Sequence, residues 1–314
     1  MSVKLEELYT LELRKSYNFL IMTNLDEFTD RYIWDRETIT NNEDQYYAPK
    51  EVNDAFTLNA AGLTITASHT PTRTRPLVGN QPYVSGILTT RDKGHSQLFG
   101  YWEGSFRLPS ARGAWPAFWL LPTHGSWPEG IAVLSEIDIM EAVHDVLEGK
   151  YHGTSHSNET GELVSSKNNA IATGRELTAY FHKYGLSWDK DWLIWFFEGV
   201  EVLRRPTPAD MKDDPRHFLL NLAVGGWGGH VMPTDYPSKA KFEIEYVNIY
   251  DIEPVDGVIA PPPPLPPIKP GLVTKEQIEA NGLDGDVIYM LNDQRFVTKR
   301  DIDLVTEYLI QSTN

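Results

Sequence analysis

The run Ser135-Glu136-Ile137-Asp138-Ile139-Met140-Glu141 threads three carboxylates through an apolar, strand-like segment. Acidic residues are depleted in strands, and half-burying three of them costs stability that something else must offset. Side chains two apart share a strand face, so Glu136 and Asp138 point one way while Ile137 and Ile139 point into a core. Plain alternation would then turn Glu141 to the wrong side. One extra residue, a β-bulge near Ile139-Met140, returns it to the acidic face. The two Glu Cα atoms then lie about 13 Å apart. Inward-leaning side chains bring their carboxyl groups to the ~5–5.5 Å separation of a retaining glycosidase. In that chemistry one Glu is a nucleophile forming a glycosyl-enzyme intermediate, and the other is the acid that protonates the leaving oxygen. Asp138, between them, would hydrogen-bond the nucleophile and tune its proton affinity. The same three acids also fit an exposed acidic strand face or a calcium-binding face.

Just upstream, Gly113-Ala114-Trp115-Pro116-Ala117-Phe118-Trp119-Leu120-Leu121-Pro122 places Trp115 and Trp119 an even number of residues apart, on one face of one strand. Indoles on such a face stack on the apolar faces of sugar rings. The alternative is that both are core residues. With nine tryptophans in the chain, some must be core and others are free for function.

The elements that must position these residues are mostly strands. Short runs such as Leu63–Ala67, Trp102–Leu108, Ile131–Val143, Leu193–Phe197 and Phe242–Tyr250 are broken by Gly, Pro, Asn and Asp clusters. Many short strands without intervening helical periods predict an all-β, two-sheet sandwich. Residues 1–20 show no clear period and read as an N-terminal extension; residues 21–252 form the main domain. Residues 253–271 contain Pro261-Pro262-Pro263-Pro264-Leu265-Pro266-Pro267 and Pro270, a stiff polyproline II spacer. Residues 272–314 read as a small helical appendage. Thr274 with Gln277 fits a capping box, Gly282 a helix stop, and Thr298 caps a second helix with Ile302, Val305 and Leu309 in one stripe. So short a segment buries little core alone, which predicts an oligomer contact or a docking partner.

Composition sets outer limits. The 314 residues, 41% hydrophobic, can bury a sizeable core, and the formal charge of −16 argues against nucleic acid or an anionic membrane as partner. It also disfavours a sulfated or uronate-rich glycan unless a local basic patch overrides it. The absence of cysteine excludes disulfide and thiol chemistry. No apolar stretch approaches the length of a membrane span. Met1-Ser2-Val3-Lys4-Leu5-Glu6-Glu7 lacks the basic start and apolar core of a signal peptide, so export would need another route or a leader beyond this sequence.

The motif Glu136-Ile137-Asp138-Ile139-Met140-Glu141 resembles the signature of glycoside hydrolase family 16, in the bulged form of laminarinase-like members. The resemblance runs in family order through Asp26-Glu27-Phe28, Asn41-Asn42-Glu43, Gln45-Tyr46-Tyr47, Tyr83-Val84-Ser85-Gly86, Tyr101-Trp102-Glu103-Gly104, Leu220-Asn221-Leu222-Ala223-Val224-Gly225-Gly226 and Tyr246-Val247-Asn248-Ile249-Tyr250. It implies a curved β-sandwich of jelly-roll type with a concave glycan cleft and retaining endo-hydrolysis. Glu136 would be the nucleophile, Asp138 its assistant and Glu141 the acid/base, with Trp115, Trp119, His156 and Asn42 binding substrate. His156, in His152-Gly153-Thr154-Ser155-His156, matches a family histidine on the leaving-group side better than His152 does. Ser135 stands where the family often has glycine. No cofactor is implied for catalysis; one structural calcium is, on the convex side, with Glu27 and Glu245 in the matching segments. The tail faintly resembles a dockerin repeat, with Met290 in place of the first calcium ligand. The expected substrate is a β-1,3- or mixed β-1,3/1,4-linked glucan or a bacterial exopolysaccharide, met outside the cell or on a cell or virion surface. A galactan hydrolase of the agarase or carrageenase kind, a transglycosylase and a non-catalytic glycan-binding module are the competing readings.

Overall fold

The computed structural model describes residues 3–32, 36, 41–51, 55–123, 135–157, 164–166, 169–255, 289–291 and 295–297. After a one-turn helix α1 (Leu5–Leu8) come β1 (Tyr9–Asn18), β2 (Gln45–Tyr47), β3 (Phe56–Asn59), β4 (Gly62–Thr66), β5 (Ser68–His69), β6 (Tyr83–Ser85) and β7 (Ile87–Thr89). Then follow β8 (Gly100–Arg107), β9 (Ala114–Pro122), β10 (Glu136–Glu141), β11 (Lys150–Ser157), β12 (Val164–Ser165) and β13 (Asn169–Ala172). The last of this unit are β14 (His182–Trp188), β15 (Trp192–Phe197), β16 (Val200–Pro206), β17 (Arg216–Val224) and β18 (Lys241–Pro254). They build an antiparallel sandwich of jelly-roll type. One sheet runs β16-β15-β14-β8-β18-β4-β3 with β1 added on β18; the other runs β12-β11-β10-β9-β17-β7 with β13 added on β11. A small sheet, β2-β6-β5, flanks them.

The core lies between the two large sheets because each contributes one apolar face. From the second sheet come Phe118 and Leu120, Ile137 and Ile139, and Phe218, Leu220 and Leu222; from the first come Trp102, Phe106, Leu186, Trp195 and Val247. Alternation sends Ala117, Trp119, Leu121 and Leu219 to the opposite, outer face, where Tyr32, Tyr47 and Ile87 partly cover them.

The extension expected over residues 1–20 is instead part of the sandwich. β1 pairs with β18 from Tyr9↔Pro254 to Asn18↔Tyr246, and Leu5 packs on Tyr101, Ile194 and Phe196. No simple alternation marks β1 because a register shift between Leu13 and Lys15 interrupts its period. The chain divides into two compact units, Met1–Ala260 and Pro261–Asn314. In the second, a β-hairpin pairs β19 (Tyr289–Leu291) with β20 (Arg295–Val297). The proline spacer and the helices expected from Thr274 and Thr298 lie outside the described residues. Among the described residues no helix is long and apolar enough to cross a membrane.

Candidate active site

β10 carries the bulge that the spacing predicted. Against β11, Glu136 faces His156, Ile137 faces Ser155 and Asp138 faces Thr154, but the next pair is Glu141 with His152. Three steps on β10 therefore match two on β11. The same slip appears against β9, between Asp138↔Trp119 and Met140↔Phe118. The extra residue leaves Ile139 and Met140 both fully buried, and Glu136, Asp138 and Glu141 share the outer face.

The three acids differ in surroundings. Glu141 is only 8% exposed, and the indole N–H of Trp115 donates to its Oε1 at 2.9 Å. Burial first, then the charges of Asp138 and Glu136, hold its carboxyl well above the ordinary range, against the indole hydrogen bond. Glu136 is more open, its side chain 30% exposed, and His156 Nε2 lies 3.8 Å from its Oε1. Burial and the charge and hydrogen bond of Asp138 push Glu136 up to about 8, with His156 and Arg216 opposing. Burial would by itself lower His156, but contact with Asp138 at 3.1 Å and the charge of Glu136 outweigh it and raise it to about 9. Glu136 thus has two cations to support its charge, while among the described residues none supports Glu141. Cations near Glu136 favour its charged form, and burial of Glu141 favours its protonated form, the contrast that a nucleophile and an acid require.

The backbone under these groups is fixed from the core side. Trp195, reaching across from β15, donates its indole N–H to the carbonyl oxygen of Asp138 at 2.7 Å. Gly153 leaves room for that indole, since a Cβ there would lie 2.6 Å from Trp195 Nε1. Arg216 is fully buried and donates to Ser135 O at 2.8 Å and Ser135 Oγ at 2.6 Å. Its guanidinium also lies over the ring of Trp188, 5.5 Å from the centroid.

The aromatic wall is divided. Trp115 is half-buried beside Glu141, and Trp227 meets it edge-on with ring centroids 5.6 Å apart. Trp119 shares that face, opposite Asp138, but is almost wholly buried. Its N–H donates to Asn221 Oδ1 at 2.8 Å, and Asn221 donates to the Tyr47 hydroxyl at 3.0 Å. Gln45 and Asn41 donate to Glu43, at 2.5 and 3.1 Å, extending the polar layer toward Trp115. Asn42 is exposed and left-handed, with φ 54°. The leaving-group side corrects the histidine assignment. Because β10 and β11 are antiparallel, the earlier residue, His152, faces Glu141, while His156 joins the nucleophile. His152 Nε2 lies 3.2 Å from both carboxylate oxygens of Asp145, and its ring is 4.9 Å from Trp227. Asp145, Trp227 and Arg216 carry no signal in the sequence, whereas the sequence ranks His152 behind His156, and Glu43 stands only within the Asn41-Asn42-Glu43 segment.

The carboxylate of Glu27 pairs with Lys15, and Glu245 accepts a hydrogen bond from Ser105 Oγ at 2.6 Å. Among the described residues, one group of three ligating side chains converges, Glu136, Asp138 and His156, with atoms within 4.8 Å of one another.

A two-sheet sandwich bearing two glutamates and an intervening aspartate on one face of one bulged strand defines a two-carboxylate glycosidase scaffold. The chain matches the glycosyl hydrolases family 16 model over residues 40–248, and it belongs to that family. It is 36% identical over 233 residues to the endo-1,3-1,4-β-glycanase EglC of Rhizobium meliloti, covering 71% of this chain and 47% of that protein. It is 35% identical over 231 residues to a β-glucanase of Rhodothermus marinus, covering 67% and 74% respectively. The chain thus spans about half the length of the Rhizobium relative. Among solved structures it resembles SCLam, a non-specific endo-β-1,3(4)-glucanase, with a TM-score of 0.64 and 27% identity over 77% of this chain and 91% of that one. The laminarinase of Rhodothermus marinus matches with a TM-score of 0.62 and 28% identity over 78% and 99%.

Proposed function

We propose that residues 3–255 form a retaining endo-β-glycanase that hydrolyses a β-1,3- or mixed β-1,3/1,4-linked glucan, or an exopolysaccharide built on such a backbone. The observation that carries this reading is the bulge, which puts Glu136 and Glu141 on one face, Glu136 beside His156 and Glu141 beside the Trp115 indole. Glu136 attacks the anomeric carbon while Glu141 gives its proton to the departing glycosidic oxygen, leaving a covalent glycosyl-enzyme. Glu141, now a carboxylate, takes a proton from water as that water attacks the same carbon, and Glu136 leaves. His156, held by Asp138, and Arg216 steady the charge of Glu136, Trp115 orients the Glu141 carboxyl, and Trp115 and Trp227 offer aromatic surface to sugar rings.

The named activities of the relatives support the glucan class. Such polymers lie outside the cell or on a cell or virion surface, which is where we place the activity. The unit from Pro261 onward serves assembly or docking. Incubation with a panel of polysaccharides, with linkage analysis of the products and NMR of the first-formed anomer, tests the reading. Release of β-anomeric oligosaccharides from β-1,3 or mixed-linkage glucan is expected; activity confined to galactans, or α-anomeric first products, would sink it.

A further inference from the structure

In a chain with a formal charge of −16, the outer face of the catalytic sheet gathers two arginines. Arg31 and Arg91 line one pocket together with Thr89, Leu121 and His217. Strand register places it. Ile137 pairs with Leu120, so Leu121 neighbours Glu136, and Leu121 pairs with His217 on the next strand. Two strand spacings of ~4.8 Å put the backbone of His217 about 10 Å from that of Glu136. A bound oligosaccharide spans that distance.

The donors suit an anion. Among the described residues no carboxylate pairs with Arg31, and Arg91 has only the mostly exposed Asp92, at 3.8 Å. His217 is 3% exposed, and its Nδ1 is buried without a hydrogen-bond partner. Leaving such an atom unpaired is costly, and a ligand atom that pairs with it recovers the cost. Burial, then Arg91 and Arg216, push His217 down to about 3, so its ring is neutral and adds no charge to repel the arginines. Guanidinium groups grip carboxylates in two-point contacts that a neutral hydroxyl cannot match.

We propose that Arg31, Arg91 and His217 form a subsite for a carboxylate carried on the glucan, beyond the nucleophile on the side away from His156. The proposal rests on the glycanase reading and narrows its substrate to acidic β-glucans. The carboxylate has three chemical sources, a uronate, a pyruvate ketal or a dicarboxylic half-ester. The repulsion expected from net charge is screened beyond about 10 Å, whereas the pocket acts at contact.

The test uses the full chain carrying Glu136→Gln, so that ligands stay intact, and calorimetric titration at fixed salt. The probes are mixed-linkage glucan oligosaccharides in four forms: neutral, oxidised at C6 to glucuronate, pyruvylated and succinylated. At least one acidic form should bind roughly tenfold or more tighter than the neutral one, and the form that does identifies the source. Arg31→Ala with Arg91→Ala should erase that advantage while leaving neutral affinity unchanged. The His217 imidazole NMR signals should move with the acidic ligand only. Equal affinity for all four forms, or an advantage that survives the double substitution, overturns the subsite while leaving the glycanase reading intact. Failure to bind any form overturns both.

Discussion

Arg216 and Ser135 form a buried clamp behind Glu136: one guanidinium holds the carbonyl oxygen and the hydroxyl of the residue immediately before it. Arg216 starts from β17 on the core-facing side and passes the end of β9, where its Nη1 also lies 3.4 Å from Leu120 O. Arg216→Met keeps much of the volume but strands two oxygens, each worth about 1–3 kcal/mol when left unpaired. The expected outcome is a lower melting temperature and a kcat reduced roughly tenfold or more, with KM little changed because the sugar-facing surface is intact. Ser135→Gly should be milder, and the double variant should show coupling between the two sites rather than additive losses. A raised KM with kcat unchanged would assign Arg216 to substrate binding instead.

The roles of the two glutamates are separable by leaving group. Glu136→Gln should lose several powers of ten on every substrate, because the covalent intermediate cannot form. Glu141→Gln should lose as much on polysaccharide yet keep substantial turnover on an aryl glycoside whose phenolate departs without a proton. Comparable losses on both substrates for both variants would overturn the assignment.

Stability should report the same acid. Glu141 is raised in the folded chain, so between the ordinary carboxyl pKa and its folded value the native state binds more protons than the unfolded one. Stability from this group is therefore full at low pH and declines as pH rises through that window. Glu141→Gln removes the decline. Its melting temperature should exceed that of the parent at pH 7–8 and converge with it below about pH 4.5. A variant no more stable than the parent at neutral pH would contradict the raised pKa.

Activity should also fall on the acidic side nearer to neutrality than an ordinary carboxylate would dictate, since Glu136 titrates at about 8 in the free protein. His156→Ala removes an opposing positive charge and should move that limb further up. The pH dependence of kcat/KM measures both, and a limb that stays put or moves down on removing His156 would exclude its support of Glu136.

The two tryptophans should now part company. Trp115→Phe loses the N–H to Glu141, raises that acid further and shifts the alkaline limb upward. Trp119→Ala empties a buried site next to Tyr32 and Tyr47 and should cost ~3–5 kcal/mol of stability, beyond any effect on binding. Thermal unfolding and kinetics on the two variants distinguish a sugar-facing ring from a supporting one.

Much of this site was legible in the sequence because strand periodicity is strict. Two carboxylates in phase and a third out of phase by one residue can share a face only through a bulge, and the bulge lies where that arithmetic put it. The histidine on the acid's side was harder, since its partner depends on register against β11 rather than on spacing along one strand. Arg216 left no signal at all. It lies eighty-one residues from Ser135 in sequence, and an arginine at a strand start reads as a surface residue until the fold buries it. The first strand was missed for a similar reason: its irregular period makes sense only beside β18.

That pairing of β1 with β18 has a mechanical consequence. Tyr9 lies opposite Pro254, so β1 begins where β18 ends, and the residues just ahead of β1 are tied to β16 through Lys4 and Val200. A load applied between the two ends of the domain's chain would not shear all the rungs at once. It would first free Lys4 and Leu5 from Val200 and Gly199, then open the ladder one pair at a time from Tyr9 toward Asn18, peeling a strand of the sheet opposite the carboxylates before it strains β10.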